Sequence, residues 1–181
     1  MSAKTHNNYW LASLLLLLTL TLLAGCGYHF TADSGTRLPA GQTVWVPFFK
    51  NATVYANGSV ALKRAIFDQF AEQRGILPAA TAEQADLILE GALTGYGAGV
   101  VSYSATDTAK EYRLTITADI TVRKRGAAKD SKPLWKGTLS AWQDYPVAAT
   151  VELQRSSEDA ALTAASRKLA QQLIWNLEQQ Y

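Results

Sequence analysis

The sequence predicts an α+β fold, a two-layer sandwich with two helices packed on one face of a mostly antiparallel sheet of about four strands. Three patterns carry that expectation. From Glu111 to Arg125, Tyr112, Leu114, Ile116, Ala118, Ile120 and Val122 alternate with Arg113, Thr115, Thr117, Asp119, Thr121 and Arg123, the period of a strand with one buried face. From Ser59 to Arg74 the apolar residues recur mostly at three- and four-residue spacing, the period of an amphipathic helix. Near the C-terminus Leu162, Ala165, Leu169, Leu173, Ile174 and Leu177 form a second helical stripe. Helices at both ends of a run of strands bury their stripes most simply against one sheet face.

In chain order, the first segment is unlike the rest. Lys4 with the α-amino group makes a positive start, and Leu11 to Leu23 (LASLLLLLTLTLL) is almost wholly apolar. That run has the length of a signal-peptide core and falls short of the ~20 residues a membrane-spanning helix needs. It ends in Leu23-Ala24-Gly25-Cys26, which resembles the bacterial lipobox. Ala24 and Gly25 are small enough for an extended backbone to lie against a peptidase, and a thiol can accept a diacylglycerol. Cys26 is the only cysteine, so it has no partner for an intramolecular disulfide. The expectation is cleavage before Cys26, with an S-diacylglycerol and an N-acyl chain on that residue as the covalent lipid. Several acyl chains together make an anchor stable where one alone is marginal. Gly27 follows, where enteric-type lipoproteins retained at the inner membrane tend to carry Asp. The resemblance therefore implies the outer membrane, on its periplasmic side.

Three regions result: residues 1–25 as signal peptide, 26–42 as the acylated Cys and a flexible tether, and 43–181 as one α+β domain. The tether (GYHFTADSGTRLPAGQ after Cys26) is rich in Gly, Thr, Ser and Pro. Thr43 to Phe49 is dense in β-branched and aromatic residues and reads as a strand, with Pro47 placing it at an edge or a bulge. Asn51 to Gly58 is a polar turn. The helix from Ser59 to Arg74 stops at Gly75, a left-handed cap. Ile76 and Leu77 suit a short strand, Thr81 to Asp86 a helical turn, and Leu87 to Gly95 the start of a strand. Gly91, Gly95, Gly97 and Gly99 would let that strand bend or bulge. They fit only a weak GxGxG pattern with no helix after it, which argues against a phosphate loop. Gly126 to Pro133 is turn chemistry between the alternating strand and its hairpin partner, Leu134 to Trp142. Gln143 to Gln154 reads as a loop or irregular edge. Ser156 or Ser157 then caps the last helix, with Glu158 and Asp159 in its first turn.

Chemistry is sparse. After cleavage the only histidine is His29, in the tether, and the only cysteine is committed to acylation. No HExxH or GxSxG occurs, and the sequence implies no cofactor and no metal. Asp144 with Glu152, and Asp107 with Glu111, read as loop charges rather than a catalytic pair. The chain is therefore expected to be no enzyme. Loss of Lys4 leaves 16 basic and 15 acidic side chains of the 17 and 15, a balance that points to no nucleic-acid partner. Arg113, Thr115, Thr117, Thr121 and Arg123 fall on the sheet face without helices, which is left for solvent or a partner.

Several segments are similar to one family. Cys26-Gly27-Tyr28-His29-Phe30 resembles the start of mature LptE lipoproteins. Val44-Trp45-Val46-Pro47-Phe48-Phe49-Lys50-Asn51 resembles the family's first strand, and Ala61 to Ile66 its first helix. Glu111 to Ile120 resembles its central strand, and Leu169 to Ile174 its closing helix. The resemblance implies two helices on a four-stranded sheet. It implies a lipoprotein that plugs and helps assemble the outer-membrane β-barrel LptD and contacts lipopolysaccharide bound for the outer leaflet. Basic side chains would meet the anionic lipid A phosphates, and Lys110, Arg113, Arg123, Lys124 and Arg125 are the candidates. Ser102 to Ala109 holds no base, and the middle of the last helix only Arg167 and Lys168. A free, lipid-anchored module binding a small apolar ligand is the alternative.

Overall fold

The computed structural model describes residue 38, residues 41–128 and residues 130–179. The segment expected to be a signal peptide, Cys26, His29 and most of the expected tether lie outside them. The elements are β1 (Thr43–Trp45), β2 (Lys50–Asn51), α1 (Gly58–Arg74), β3 (Leu77–Pro78), β4 (Leu87–Tyr103), β5 (Ala109–Lys124), β6 (Trp135–Pro146) and α2 (Val151–Gln179). They form one sheet in the order β3-β1-β4-β5-β6, with β2 also on β4. The two helices pack on one another and on the sheet, as the periodicity predicts.

The sheet has six strands rather than about four, and it is mixed: β1 and β2 run parallel to β4, and β1 parallel to β3. The difference arises at Pro47. Trp45 pairs with Ile88 and Lys50 with Ala92, so five steps on one chain match four on the other. The predicted strand is thereby split by a bulge around a residue without an amide donor. Phe49 drops into the core at 1% exposure while Phe48 turns out at 74%.

α1 buries Leu62, Ala65, Ile66 and Phe70 and ends at Gly75, whose φ of 62° is the left-handed cap the sequence predicts. Gln69, only 2% exposed, joins the helices by accepting from Gln73 (2.8 Å) and Gln171 (2.9 Å). That partnering is what makes a buried amide tolerable. Leu38, assigned by sequence to the tether, is 1% exposed in the same core, so packing starts before residue 43.

α2 departs from expectation at its start. It begins at Val151, so neither Ser156 nor Ser157 is its cap, and Glu158 and Asp159 are not in its first turn. Thr150 does the capping: its Oγ1 accepts from the Leu153 amide (3.3 Å) and its carbonyl from the Gln154 amide (2.9 Å). Val151 and Leu153 are exposed, so this first turn buries no stripe and leaves no periodic signal. β6 likewise runs on to Pro146, through residues expected to be a loop. Tyr145, opposite Tyr112, is buried on the helix side.

Two predictions follow from this packing. Thr150→Ala should cost about 1 kcal/mol in urea unfolding, the value of a lost cap, whereas Ser156→Ala should change stability by less than about 0.5 kcal/mol. In β4, a Cβ on Gly91 would run into the Asp119 carbonyl and the Phe49 ring, while one on Gly97 meets nothing within 4 Å. Gly91→Ala should therefore lose about 1–3 kcal/mol by overpacking and Gly97→Ala almost none, read from the same unfolding curves.

Candidate functional site

The alternation in β5 divides the sheet. Leu114, Ile116, Ala118, Ile120 and Val122 are buried under the helices. Arg113, Thr115, Thr117, Asp119, Thr121 and Arg123 point to the opposite, uncovered face. Register aligns them with Asp144, Trp142, Ser140, Thr138 and Lys136 of β6 and with a glycine-lined stretch of β4. Cross-strand bonds tie this face together: Thr138 donates to Asp119 (2.6 Å) and Thr117 to Ser140 (3.2 Å). Small and hydroxylated side chains keep much of it flat. A groove of about 690 Å³ opens nearby, lined by Phe48, Lys50, Asp119, Lys136 and Thr138 among others.

At the far part of this face Arg113 is paired across the strands. Its Nε and Nη2 donate to the two Asp144 oxygens at 2.7 and 2.8 Å, the fork geometry that makes Arg–carboxylate pairs specific. Its guanidinium lies 3.8 Å from the Trp142 ring centre. Lys168 reaches from α2 to the same ring (5.0 Å) and donates to the Trp142 carbonyl (3.1 Å). The Arg113 bonds hold the Asp144 carboxyl below the usual carboxylate range, and Asp144 in turn raises Arg113. Trp142, 47% exposed, is thus held in place by two cations with part of its ring open. Composition alone did not single it out, because only the register puts Arg113, Trp142 and Asp144 side by side.

The five basic candidates fall into two groups. Lys110 is exposed three residues before Arg113, its carbonyl accepting from the Val147 amide (2.9 Å). Arg123, Lys124 and Arg125 sit ten residues further along, about 33 Å away at strand rise. Arg123 donates to the Ser131 carbonyl (2.9 Å) and Arg125 to the Glu83 carbonyl (2.7 Å). The structure does not bring the five together.

The carboxylates resolve differently. Asp144 is Arg113's partner, and Glu111 accepts from Ser102 (3.0 Å). Asp107 sits at the tip of the β4–β5 hairpin with φ 54°, a left-handed position that Asp tolerates. Glu158 and Asp159 anchor a tyrosine cluster under α2. Tyr96 donates to Glu158, and Tyr55 to Asp159 at 2.6 Å. The two rings stack at 4.4 Å and 8°. Burial, then the carboxylate acceptor, pushes Tyr55 up to about 12 and raises Tyr96 as well.

The domain so defined is a two-layer α+β sandwich with one helix-covered and one open sheet face, and the same architecture occurs in other bacterial proteins. The chain is similar to uncharacterized lipoprotein B from Nitrosomonas europaea, with 12% identity and a TM-score of 0.50, covering 82% of this chain and 90% of that one. It is similar to PelC, solved as a dodecamer from Paraburkholderia phytofirmans, with 12% identity and a TM-score of 0.52 over 82% and 96%. Rare lipoprotein B from Shewanella oneidensis matches with 12% identity and a TM-score of 0.47 over 75% and 92%. No curated protein matches the sequence. The LptE family model, described as lipopolysaccharide-assembly, matches residues 41–177, nearly the whole packed domain. The chain belongs to the LptE family.

The tyrosine cluster sets an alkaline limit. A phenol with a raised folded pKa contributes stability that is complete below the unfolded value of about 10. For Tyr55 that contribution is lost as pH rises toward about 12. Titration of tyrosinate absorbance should show Tyr55 and Tyr96 ionising late and together with loss of far-UV dichroism. The Tyr55→Phe, Tyr96→Phe double variant should remove the late phase and be less stable at neutral pH by roughly 2 kcal/mol, about 1 per hydrogen bond.

Proposed function

We propose that this chain is a non-catalytic outer-membrane lipoprotein, anchored by acyl chains on Cys26, that partners and plugs the lipopolysaccharide-translocating β-barrel LptD. It would assist the barrel's assembly and the insertion of lipopolysaccharide into the outer leaflet. The observation that carries this is the family match over residues 41–177. The fold is consistent with the role. A plug needs a rigid body with a large uncovered surface, and the open face of β4, β5 and β6 supplies one without exposing the core. Its middle is built from the short hydroxylated Thr115, Thr117, Thr121, Thr138 and Ser140, so a barrel wall could approach closely there and exchange hydrogen bonds rather than bury unpaired polar groups.

The hairpin formed by the far parts of β4 and β5 adds a projecting arm. Its β4 side, from Gly95 to Tyr103, carries no charge and exposes Val101 and Tyr103, while its β5 side carries Lys110, Glu111 and Arg113. The β4 side could lie against a narrow lumen wall at little desolvation cost. Lys110 near its tip and Arg113 midway along its β5 side are the bases best placed to meet an anionic glycolipid there. Arg113 would do so while still paired to Asp144, which makes it a fixed rather than a free donor.

The test is an affinity pull-down of the full-length, C-terminally tagged lipoprotein, solubilised in detergent from its native membrane. The expected result is a large β-barrel recovered near one-to-one and retained through a salt wash. Recovery of the lipoprotein alone would overturn the plug and leave a free, lipid-anchored binding module.

A further inference from the structure

The two ends of the sandwich differ in charge. β1 starts beside the start of β4, Val44 against Leu87, and Leu87 pairs with Lys124 at the end of β5. The Arg125 amide donates to the Asp86 carbonyl at 2.9 Å. The incoming chain, the 81–86 turn and the β5–β6 turn therefore share one end of the domain. Between Arg123 and Lys136 the sequence holds Arg123, Lys124, Arg125, Lys129, Lys132 and Lys136 against the single acid Asp130. Lys124, Arg125, Lys132 and Lys136 are exposed; Lys129 lies outside the described residues. Arg123 and Arg125 donate to neutral backbone carbonyls, and of the two Arg125 also lies within coulombic reach of the Asp86 carboxylate. This one turn carries a larger positive excess than the mature chain as a whole, so the remainder is net acidic. The opposite end carries exposed Val101, Tyr103, Val147, Val151 and Leu153 instead.

Leu38, buried in the fold, follows Cys26 by 12 residues, a span of at most about 40 Å even when fully extended. A basic surface held that near a bilayer meets its headgroups at high effective concentration. We infer that the β5–β6 turn seats on anionic phospholipid headgroups of the leaflet that holds the chain's own anchor. The basic end then faces the membrane surface and the hairpin arm points away from it. The inference rests on acylation of Cys26, and it assigns Arg123, Lys124 and Arg125 to the bilayer, leaving Lys110 and Arg113 for the barrel. The attraction is electrostatic, so it is confined to about 10 Å at ordinary salt and weakens as salt rises.

The experiment is lysine footprinting of the full-length acylated lipoprotein in vesicles of phosphatidylcholine alone or mixed with phosphatidylglycerol. A lysine-acylating reagent is read by mass spectrometry, and flotation reports anchoring separately. In the anionic vesicles Lys124, Lys132 and Lys136 should label roughly fivefold more slowly than in the neutral ones, with Lys110 and Lys168 unchanged and high salt abolishing the difference. Equal labelling of all five in both vesicles, with the protein afloat, overturns the inference alone. Failure to float with either vesicle overturns the anchor and the inference together.

Discussion

β5 is hydrogen-bonded along most of its length on both sides, to β4 and to β6. A strand so placed cannot slip by one residue without turning Leu114, Ile116, Ala118, Ile120 and Val122 to water and Arg113, Asp119 and Arg123 into the core. That constraint fixes the register of both neighbours, and with it the face the helices cover. It also fixes which side chains meet on the other face. The pairing of Arg113 with Asp144 and the position of Trp142 against the Arg113 guanidinium follow from the same register. The surface proposed for the barrel is therefore as rigid as the core that backs it.

How much of this was legible depended on whether a segment packs. The alternation in β5 and the stripe of α1 face a core, and both elements stand within two residues of where the sequence puts them. Gly75 was legible for a local reason, since a left-handed residue after an amphipathic run admits few alternatives. The first turn of α2 was not, because Val151 and Leu153 face solvent there and the true cap, Thr150, sits in a run of small residues without pattern. Ser156 and Ser157 followed by two acids imitate a helix start. Those acids instead accept hydrogen bonds from tyrosines about 60 and 100 residues earlier, and no window on the sequence contains both partners.

The candidate site was legible in kind and less so in place. The open face was identified from residue period, yet period says nothing of which bases lie near one another. The five candidates all stand on or next to one strand, and a strand of that length separates its ends by most of the domain. The residues that sequence alone passed over, Trp142 and Lys168, gain significance only through a cross-strand neighbour and a helix lying over the sheet edge. Glycines were ambiguous for the same reason. Gly91 is required by a ring arriving from a distant segment, whereas Gly97 has open space around it.

Lys168 has one more consequence. Among the described residues β6 is the outermost strand on its side, and its free edge could recruit another strand. The ammonium of Lys168 occupies the outward carbonyl of Trp142, and Pro146 at the strand's end can offer no amide. An incoming chain would have to displace a charge and forgo a bond. A chain with this edge capped can stay a single copy at concentrations where an open strand edge would begin to polymerise.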